Sequence, residues 1–499
     1  MVTTEVRIPF RPVLARRTPV ATLLIPAVTM AVLGLWGLNR RGLWGDEAAT
    51  WTAARRTPAE LWHLLQNLDA VHGLYYFGMH LLLAVRADEV MLRLPSVLAM
   101  SWAAAAVAAT GAKLAGPRVG LIAGTLFAVV PVVSLYAQEG RSYALVVAGA
   151  TTATYLLACG CRSTDRRWWQ AYAGVVALTV VLHALAVLLL AAHAVTLLMA
   201  RSAPRTWRLW GMAAGGTVVV LAPLLWVAGG QVEAIAWITR PGWDEVVHLV
   251  RAFAGPSGGA ACLTLPLAAA ALFLPRRPSF AAAPPTLITV ALPLLVVPPV
   301  LLIAVSQLYP LYDLRYVLYA LPGLSLLVAA GADRLAARVP WRGSLPLAGA
   351  LVVSMVLGGQ LAAQNQVRSG ESRMDDLRPI AQAVQARAKP GDAVVFLAGT
   401  RRKAAIAYPE AFAGLRDVAL EAPPGRSGTL YGTELPPGRV RELLSRADRV
   451  WLLDREDSDQ RRVFRAEVER VKQDVLATRF HREGVARLHG GSVHLFVHD

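Results

Sequence analysis

The chain has 499 residues, 55% of them hydrophobic, and a mean hydropathy of +0.46. This composition excludes an ordinary water-soluble protein and indicates a membrane protein with a polar appendage. The formal net charge of +17 does not point to nucleic acid, because the arginines lie mainly at the ends of predicted membrane helices, where anionic lipid and topology account for them. We therefore predict membrane lipid, and no nucleic acid, among its partners.

Residues 1–18 carry four arginines and precede an apolar block that has no small-residue cleavage site. We interpret this block as an uncleaved membrane anchor that leaves the N-terminus in the cytoplasm. Further apolar blocks of about 20 residues, the length that crosses a bilayer as helix, recur up to residue 363. Every second turn between them is basic, which predicts a multi-pass protein with about eleven spans.

The number of spans depends on whether the segment 74–86 crosses the membrane. Its thirteen residues are too few to cross a bilayer comfortably, so we predict an oblique or re-entrant helix on the outer side. If the segment crosses, the count becomes twelve and the alternation of basic turns fails after it.

Residues 364–499 are polar and mixed in charge. Patterns such as "RELLSRADRVWLLD" indicate a helix followed by a buried strand, and "GSVHLFVHD" alternates as a strand does. We predict a small α/β domain, extracytoplasmic by the alternation of turns. No acidic or basic cluster of recognisable spacing occurs in it, so we expect it to be accessory and to contain no catalytic residue.

Asp46 and Glu47 follow the first span and belong to a predicted outer loop of residues 39–93. Trp44 and Trp51 flank them, and tryptophan prefers the membrane interface. The two carboxylates should therefore lie at headgroup depth, where a charge is costly without a structural or functional role. A helix cap or salt bridge explains each of them about as well as catalysis does.

Three further polar segments reach the same face of the membrane. Their candidate residues are Asp69, His72, Tyr75, Tyr76 and Arg93, then Tyr136, Glu139, Arg141 and Tyr143, and finally Asp313 and Arg315. Carboxylates beside arginines suit group transfer from a phosphate, because a base must activate the acceptor and cations must neutralise the leaving group. The alternative is that Arg141 and Arg315 only pair with their neighbours Glu139 and Asp313.

The order of these motifs resembles that of the GT-C membrane glycosyltransferases. An acidic pair follows the first span, a Tyr-Tyr segment comes about 30 residues later, and "LRLPSVLAM", "YAQEGRSYAL" and "LRYVLYALPG" follow. The likeness covers residues 20–362 and is greatest to the family-39 branch, which holds protein mannosyltransferases and lipid A aminoarabinose transferases. It implies a mainly α, polytopic helical bundle of GT-C type.

The resemblance also implies a reaction. Such enzymes take a sugar from a polyprenyl-phosphate donor and transfer it, with inversion, to a glycan, lipid or protein acceptor at the outer face. By resemblance Asp46 is the general base, Glu47 supports it, and Arg93, Arg141 and Arg315 bind the donor phosphate. The other candidate residues are assigned to substrate binding. Mannose is the sugar that the family suggests, although no residue here demands it.

The chain departs from the family pattern before its tyrosine pair. His72 and Gly73 stand where a Pro-Pro pair is usual, which leaves the local backbone and the choice of acceptor or sugar open. Asp69 and His72 could share a divalent metal, but one histidine with scattered carboxylates is a poor ligand set. We therefore predict no metal site and no certain cofactor.

Two other functions compete with glycosyl transfer. A polyprenyl-lipid or glycan transporter or flippase should show internal repeats and charges near the bilayer midplane, whereas the charges here cluster at one face. A membrane-anchored scaffold that binds glycan would explain the C-terminal region but not the charged outer turns. If the transferase hypothesis is right, Asp46, Glu139, Arg141 and Arg315 should line one cavity.

Overall fold

The computed structural model describes residues 18–231, 238–256, 258–275, 285–338, 360–454 and 467–499. The predicted cytoplasmic N-terminus, residues 1–18, lies almost entirely outside the described residues. Most of the predicted span that ends near residue 362 also lies outside them. The same holds for parts of two of the basic turns between predicted spans, at residues 275–278 and 332–342.

The described part of residues 18–338 is built from helices. They are α1 (Val20–Leu35), α2 (Gly45–Ala54), α3 (Pro58–Asn67), α4 (Gly73–Val85), α5 (Glu89–Ala115), α6 (Pro117–Val129), α7 (Pro131–Ala137), α8 (Tyr143–Cys161), α9 (Arg167–Leu182), α10 (Leu188–Met199), α11 (Pro204–Gly229), α12 (Trp243–Ala254), α13 (Gly258–Phe273), α14 (Leu287–Ser306) and α15 (Leu321–Ala336). A 3-10 helix, Leu314–Ala320, leads directly into α15. The predicted mainly α architecture is confirmed.

Within the described residues, five helices are long and apolar enough to cross a membrane, or seven crossings result if each of two bent pairs counts as one. The five are α5, α8, α11, α14 and the continuous segment Leu314–Ala336. The chain is thus a multi-pass membrane protein, while the count of eleven spans is not confirmed. Helix α4 is among the shorter apolar helices, and its re-entrant placement stays a prediction.

Glycines allow neighbouring helices to pack closely, as small residues do in many membrane proteins. A Cβ atom on Gly120 of α6 would lie 2.3 Å from the carbonyl oxygen of Ala108 in α5. A Cβ atom on Gly331 of α15 would lie 1.7 Å from the carbonyl oxygen of Leu267 in α13. These helix backbones approach each other only because both positions lack a side chain.

The C-terminal region forms the small α/β unit that the sequence predicts. Its helices are α16 (Leu377–Gln385), α17 (Lys403–Ala407), α18 (Pro424–Ser427), α19 (Pro437–Leu444) and α20 (Glu467–Arg479), and its strands are β1 (Ala393–Phe396), β2 (Arg416–Asp417), β3 (Leu420–Ala422), β4 (Thr433–Glu434), β5 (Arg449–Asp454), β6 (Phe480–Leu488) and β7 (Gly491–His498). The main sheet has the order β2-β1-β5-β7-β6, and β3 pairs with β4. Strand β1 runs parallel to β2 and β5, whereas β7 runs antiparallel to β5 and β6.

The sheet packs against the helical part through one face. Side chains alternate along a strand, so Val394 and Phe396 of β1 join the hydrophobic core of the helices. Val395 points the other way and packs with Val475 and Leu476 of α20 in a second core. The first core is therefore continuous between the two parts of the chain, and a domain boundary at residues 363 and 364 stays a prediction.

Candidate functional site

The two adjacent carboxylates of the first outer loop point in different directions. Asp46 and Glu47 occupy the first turn of α2, where the helix dipole favours negative charge. Consecutive residues of an α-helix project about 100° apart. Asp46 consequently reaches a cavity, whereas the Glu47 side chain is fully buried.

Asp46 forms an ion pair with Arg315, which precedes α15. Nη1 of Arg315 donates to Oδ2 of Asp46 over 2.5 Å, and Nε lies 3.2 Å from Oδ2 of Asp313. The Asp46 side chain is 32% exposed and that of Arg315 only 10%. The carboxylate is thus accessible to a ligand, and the guanidinium is held on two sides by acidic groups.

Glu47 is bound by Arg93 away from the cavity. Nε and Nη2 of Arg93 donate to the two carboxylate oxygens over 2.7 and 2.6 Å, and the Gly140 N–H donates to Oε1 over 3.0 Å. The other Arg93 donors bind carbonyl oxygens of residues 38, 41 and 42. Burial raises the pKa of Glu47, but Arg93, Arg41 and the Gly140 N–H together outweigh this effect and hold that pKa below its ordinary value.

This buried pair changes two of the assigned roles. Both side chains are fully buried, and neither Glu47 nor Arg93 lines the cavity. The phosphate-binding role predicted for Arg93 therefore has no geometric support. The pair instead fixes the backbone of the loop that leads to Asp46.

Arg141 belongs to a polar network with the second outer segment. Its Nη1 donates to the Tyr76 hydroxyl over 3.2 Å, and its Nη2 lies 2.9 Å from Nε2 of His72. The Tyr76 hydroxyl donates in turn to Oδ2 of Asp69 over 2.9 Å. Burial raises the pKa of Asp69, an effect that Arg141 and Tyr76 partly oppose. The network orients Arg141 from two directions.

Glu139 is not the partner of Arg141. Its Oε2 accepts a 2.5 Å hydrogen bond from Nη2 of Arg373, whose guanidinium lies 5.1 Å from the ring centroids of both Trp44 and Tyr136. Burial raises the pKa of Glu139, and Arg373 opposes that rise. Glu139 is 1% exposed and does not line the cavity, so the expectation that it would do so is wrong.

Aromatic rings surround Arg315. Its guanidinium carbon lies 5.5 Å from the ring centroid of Tyr143 and 5.6 Å from that of Tyr316. The His183 ring is 4.8 Å from that of Tyr316. Such rings hold a guanidinium through their faces. Tyr316 was not among the predicted site residues, although it belongs to the "LRYVLYALPG" motif.

A cavity of about 530 Å³ brings the charged groups together. Of the predicted site residues it is lined by Asp46, Asp69, His72, Arg141, Tyr143 and Arg315. The predicted residues outside its lining are Glu47, Tyr75, Tyr76, Arg93, Tyr136, Glu139 and Asp313. Among the described residues, no three His, Cys, Asp or Glu side chains converge as a metal-binding cluster.

One wall of the cavity is formed by the ends of membrane helices. Leu225, Ala228 and Gly229 lie at the end of α11, and Tyr309 follows α14. Leu225 is 49% and Tyr309 46% exposed. Exposed apolar groups at the end of a membrane-crossing helix suit contact with lipid chains.

Another part of the cavity lining comes from the C-terminal region. Thr400, Lys403, Leu430 and Tyr431 line the cavity, so the region does not lie apart from the site as an accessory domain would. Burial and the nearby carboxylates raise the pKa of Tyr431. The only local signal for these residues was the basic run 401–403 shortly after a buried strand.

Known proteins match this chain through structure and not through sequence. No protein-family model matches it, and no curated protein matches it. The crystal structure of ArnT from Cupriavidus metallidurans in the apo state matches with a TM-score of 0.59 and 14% identity, over 94% of this chain and 97% of that one. ArnT bound to undecaprenyl phosphate matches with a TM-score of 0.57 and 15% identity, over 95% and 98%.

A weaker match is the oligosaccharyltransferase of Archaeoglobus fulgidus in the apo form, with a TM-score of 0.45 and 9% identity, over 87% of this chain and 69% of that one. The two ArnT matches cover nearly the whole of this chain and of the ArnT chain. At 14% and 15% identity, the two ArnT matches show a shared fold and not a shared activity.

Proposed function

This chain has the GT-C fold of membrane glycosyltransferases, and from that fold and its charged cavity we propose that it transfers a sugar from a polyprenyl-phosphate donor to an acceptor. The crystallised ArnT binds undecaprenyl phosphate, which corresponds to the lipid carrier of the donor class proposed here, without its sugar. The transferred group is a hexose or a pentose, with mannose the first candidate. The acceptor is a glycan, a lipid or a protein.

The observation that carries the proposal is the convergence of Asp46, Arg141 and Arg315 on one cavity. A carboxylate and two guanidinium groups are what transfer from a phosphate donor requires. The apolar part of the lining at Leu225 and Tyr309 suits the prenyl chain, and the part at Thr400 and Tyr431 suits a polar acceptor.

Asp46 is the proposed general base. It accepts the proton of an acceptor hydroxyl as that oxygen attacks the anomeric carbon of the sugar. The bond from the anomeric carbon to the phosphate oxygen breaks, and the electron pair leaves with the polyprenyl phosphate. Attack from the side opposite the leaving group inverts the anomeric carbon. Asp46 is 32% exposed, so an acceptor can reach it.

Arg315 and Arg141 are the proposed phosphate ligands. Negative charge develops on the departing phosphate, and a fixed guanidinium in a site of low dielectric stabilises such charge more than it would in water. Arg315 is oriented by Asp46 and Asp313, and Arg141 by Tyr76 and His72. These contacts fix the direction of each planar guanidinium group. The ammonium group of lysine cannot reproduce its two parallel N–H donors.

The proposed cellular arrangement follows the distribution of arginines. The N-terminus is in the cytoplasm, residues 19–363 form the catalytic membrane module, and residues 364–499 are extracytoplasmic. The reaction then takes place at the outer face of the cell membrane. The charged residues belong to turns that the arginine distribution assigns to one face of the membrane, which favours transfer over lipid transport.

Purified protein supplied with a polyprenyl phosphate that carries a radiolabelled sugar tests the function. We expect label to leave the lipid and appear on an acceptor, with mannose tested beside other hexoses and a pentose. Movement of intact labelled lipid across a vesicle membrane, without cleavage, would instead identify a flippase. Binding of glycan without either event would identify the scaffold.

The same assay tests the phosphate ligands. Arg141→Lys retains the charge but cannot bind Tyr76, His72 and phosphate with one planar fork, so we expect the KM for donor to rise by about tenfold, or about 1.4 kcal/mol. Glu139→Gln should be milder, because Glu139 binds Arg373 outside the cavity. Unchanged donor dependence in Arg141→Lys and in Arg315→Lys would leave the phosphate without these ligands.

A further inference from the structure

The C-terminal region binds the chain immediately before Asp46. The Gly45 N–H donates to Oδ1 of Asp375 over 2.8 Å. The Leu43 N–H donates to the Tyr408 hydroxyl, also over 2.8 Å. Gly45 is the first residue of α2, so Asp375 acts as an acceptor for an N–H group that the helix itself cannot satisfy.

Two more hydrogen bonds extend this contact. The Leu377 N–H donates to the carbonyl oxygen of Leu43 over 2.9 Å, and the Gly42 N–H donates to Oδ2 of Asp376 over 3.3 Å. Residues 42–45 are therefore bound to the C-terminal region by one backbone hydrogen bond and three hydrogen bonds to side chains. Asp46, which follows them, cannot move independently of that region.

Asp375 has a second partner that reaches the cavity. Its Oδ2 forms an ion pair with Nζ of Lys403, and the two side chains are 7% and 14% exposed. Lys403 lines the cavity together with Gly45 and Asp46. A Cβ atom on Gly45 would lie 2.7 Å from Nζ of Lys403, so the ammonium group lies against the first turn of α2.

We propose that Asp375 and Lys403 are positioning residues that hold the first turn of α2, and through it the Asp46 carboxylate, in the geometry for proton removal. This inference rests on the proposed function, because Asp46 must act as base for its position to matter. Lys403 has two effects on the first turn. It orients Asp375 toward the Gly45 N–H, and its positive charge offsets the repulsion between Asp375 and Asp46.

The arrangement makes the C-terminal region part of the transfer site. Displacement of a catalytic group by about 1 Å can cost on the order of 10²-fold in rate. A residue that sets the position of the base should affect kcat, whereas a residue that binds donor or acceptor should affect KM. These two effects separate positioning from direct substrate contact by Lys403.

The test compares four variants of the full-length protein. They are Asp375→Ala, Lys403→Met, Lys403→Arg and the double variant that combines Asp375→Ala with Lys403→Met. Asp392→Ala is the matched control, since Asp392 is similarly buried, 7% exposed against 6% for Asp375, and pairs with Arg449 within the sheet. We expect Asp375→Ala and Lys403→Met to lower kcat by roughly 10- to 100-fold with donor and acceptor KM unchanged. Lys403→Arg should keep most of the wild-type kcat. The double variant should lower kcat no further than the more strongly affected single variant, because the two residues act together.

Three results would overturn the inference. A rise in KM with unchanged kcat would show that Lys403 contacts a substrate directly, and wild-type kinetics in both single variants would show that neither residue matters. An equal loss of kcat in Asp392→Ala would trace the effect to general stability of the region. The two proposals fail separately. Wild-type protein that transfers no sugar would remove the proposed function, and full transfer by Asp46→Asn would remove the general-base role on which positioning depends. An inactive Asp46→Asn beside fully active Asp375→Ala and Lys403→Met would remove only the positioning role.

Discussion

The Glu47 carboxylate and the Arg93 guanidinium use nearly all of their hydrogen-bonding capacity on each other and on the first outer loop. Arg93 binds both carboxylate oxygens and three backbone carbonyl oxygens of residues 38–42. A buried pair of this kind is neutral or modest in net stability while intact, but costly when one partner is lost. It supports the site by fixing the chain that ends at Asp46.

We predict that Glu47→Gln is strongly destabilising, because it leaves the Arg93 guanidinium buried without a counter-charge. The expected loss is about 3–5 kcal/mol in the free energy of unfolding, measured by denaturation of the purified protein in detergent. Glu442→Gln is the control, since Glu442 pairs with Arg439 and Arg446 at the surface and should change stability by at most about 1 kcal/mol. Equal stability of the two variants would contradict the structural role of the buried pair.

Sequence reasoning found Asp46 and Arg315 but not their contact. The acidic pair and the late arginine are visible as motifs, whereas their hydrogen bond joins residues 269 positions apart. Which member of the acidic pair faces the cavity depends on where α2 begins, and no cap residue marks that start. The sequence therefore predicted which charged residues belong to the site, but not the direction in which each side chain points.

At the scale of elements, apolar runs predicted the long helices well but not their breaks. Helices α6 and α7 meet at a bend of 67°, where Val130 adopts an extended conformation before Pro131. A residue before proline disfavours the helical region, so the break has a local cause in the sequence. Counting apolar residues alone merges the two helices into one predicted span.

Helix packing gives a prediction at the same scale. Gly331→Ala should lower stability by about 1–3 kcal/mol, because its Cβ would overlap the α13 backbone and force the helices apart. Gly174→Ala on α9 is the matched control, since a Cβ there meets no atom within 4 Å and alanine favours helix by up to about 1 kcal/mol. Thermal denaturation of both variants measures the difference in stability. Wild-type stability of Gly331→Ala would contradict the close packing of α13 against α15.

At the scale of the whole molecule, the docking of the C-terminal region was the least predictable feature. Its helices and strands followed from local patterns, yet the hydrogen bond from Gly45 to Asp375 joins residues 330 positions apart. Apart from the basic run 401–403, nothing local marks Lys403 as a cavity residue. Residues of the C-terminal region line the cavity, and a cavity shared between two parts of a chain leaves no compact motif in either. That the region contains no catalytic residue stays a prediction.

The orientation of the whole molecule is a prediction that labelling can check. In a background without Cys159, Cys161 and Cys262, we expect an impermeant thiol reagent to label Gly438→Cys in intact cells. Asp165→Cys, in the basic turn after α8, should react only after the membrane is opened, because basic turns stay in the cytoplasm. Protection of Gly438→Cys in intact cells would reverse the proposed topology.

The most direct test of the central claim is sugar transfer by Asp46→Asn compared with Asp244→Asn. Each aspartate is the second residue of its helix, but Asp244 is exposed and lies outside the cavity lining. With a polyprenyl-phosphate sugar as donor, we expect Asp46→Asn to remain folded and to lose transfer by about 10² to 10⁴, the effect of a lost general base. Asp244→Asn should keep the wild-type rate. Near-normal transfer by folded Asp46→Asn would contradict the account.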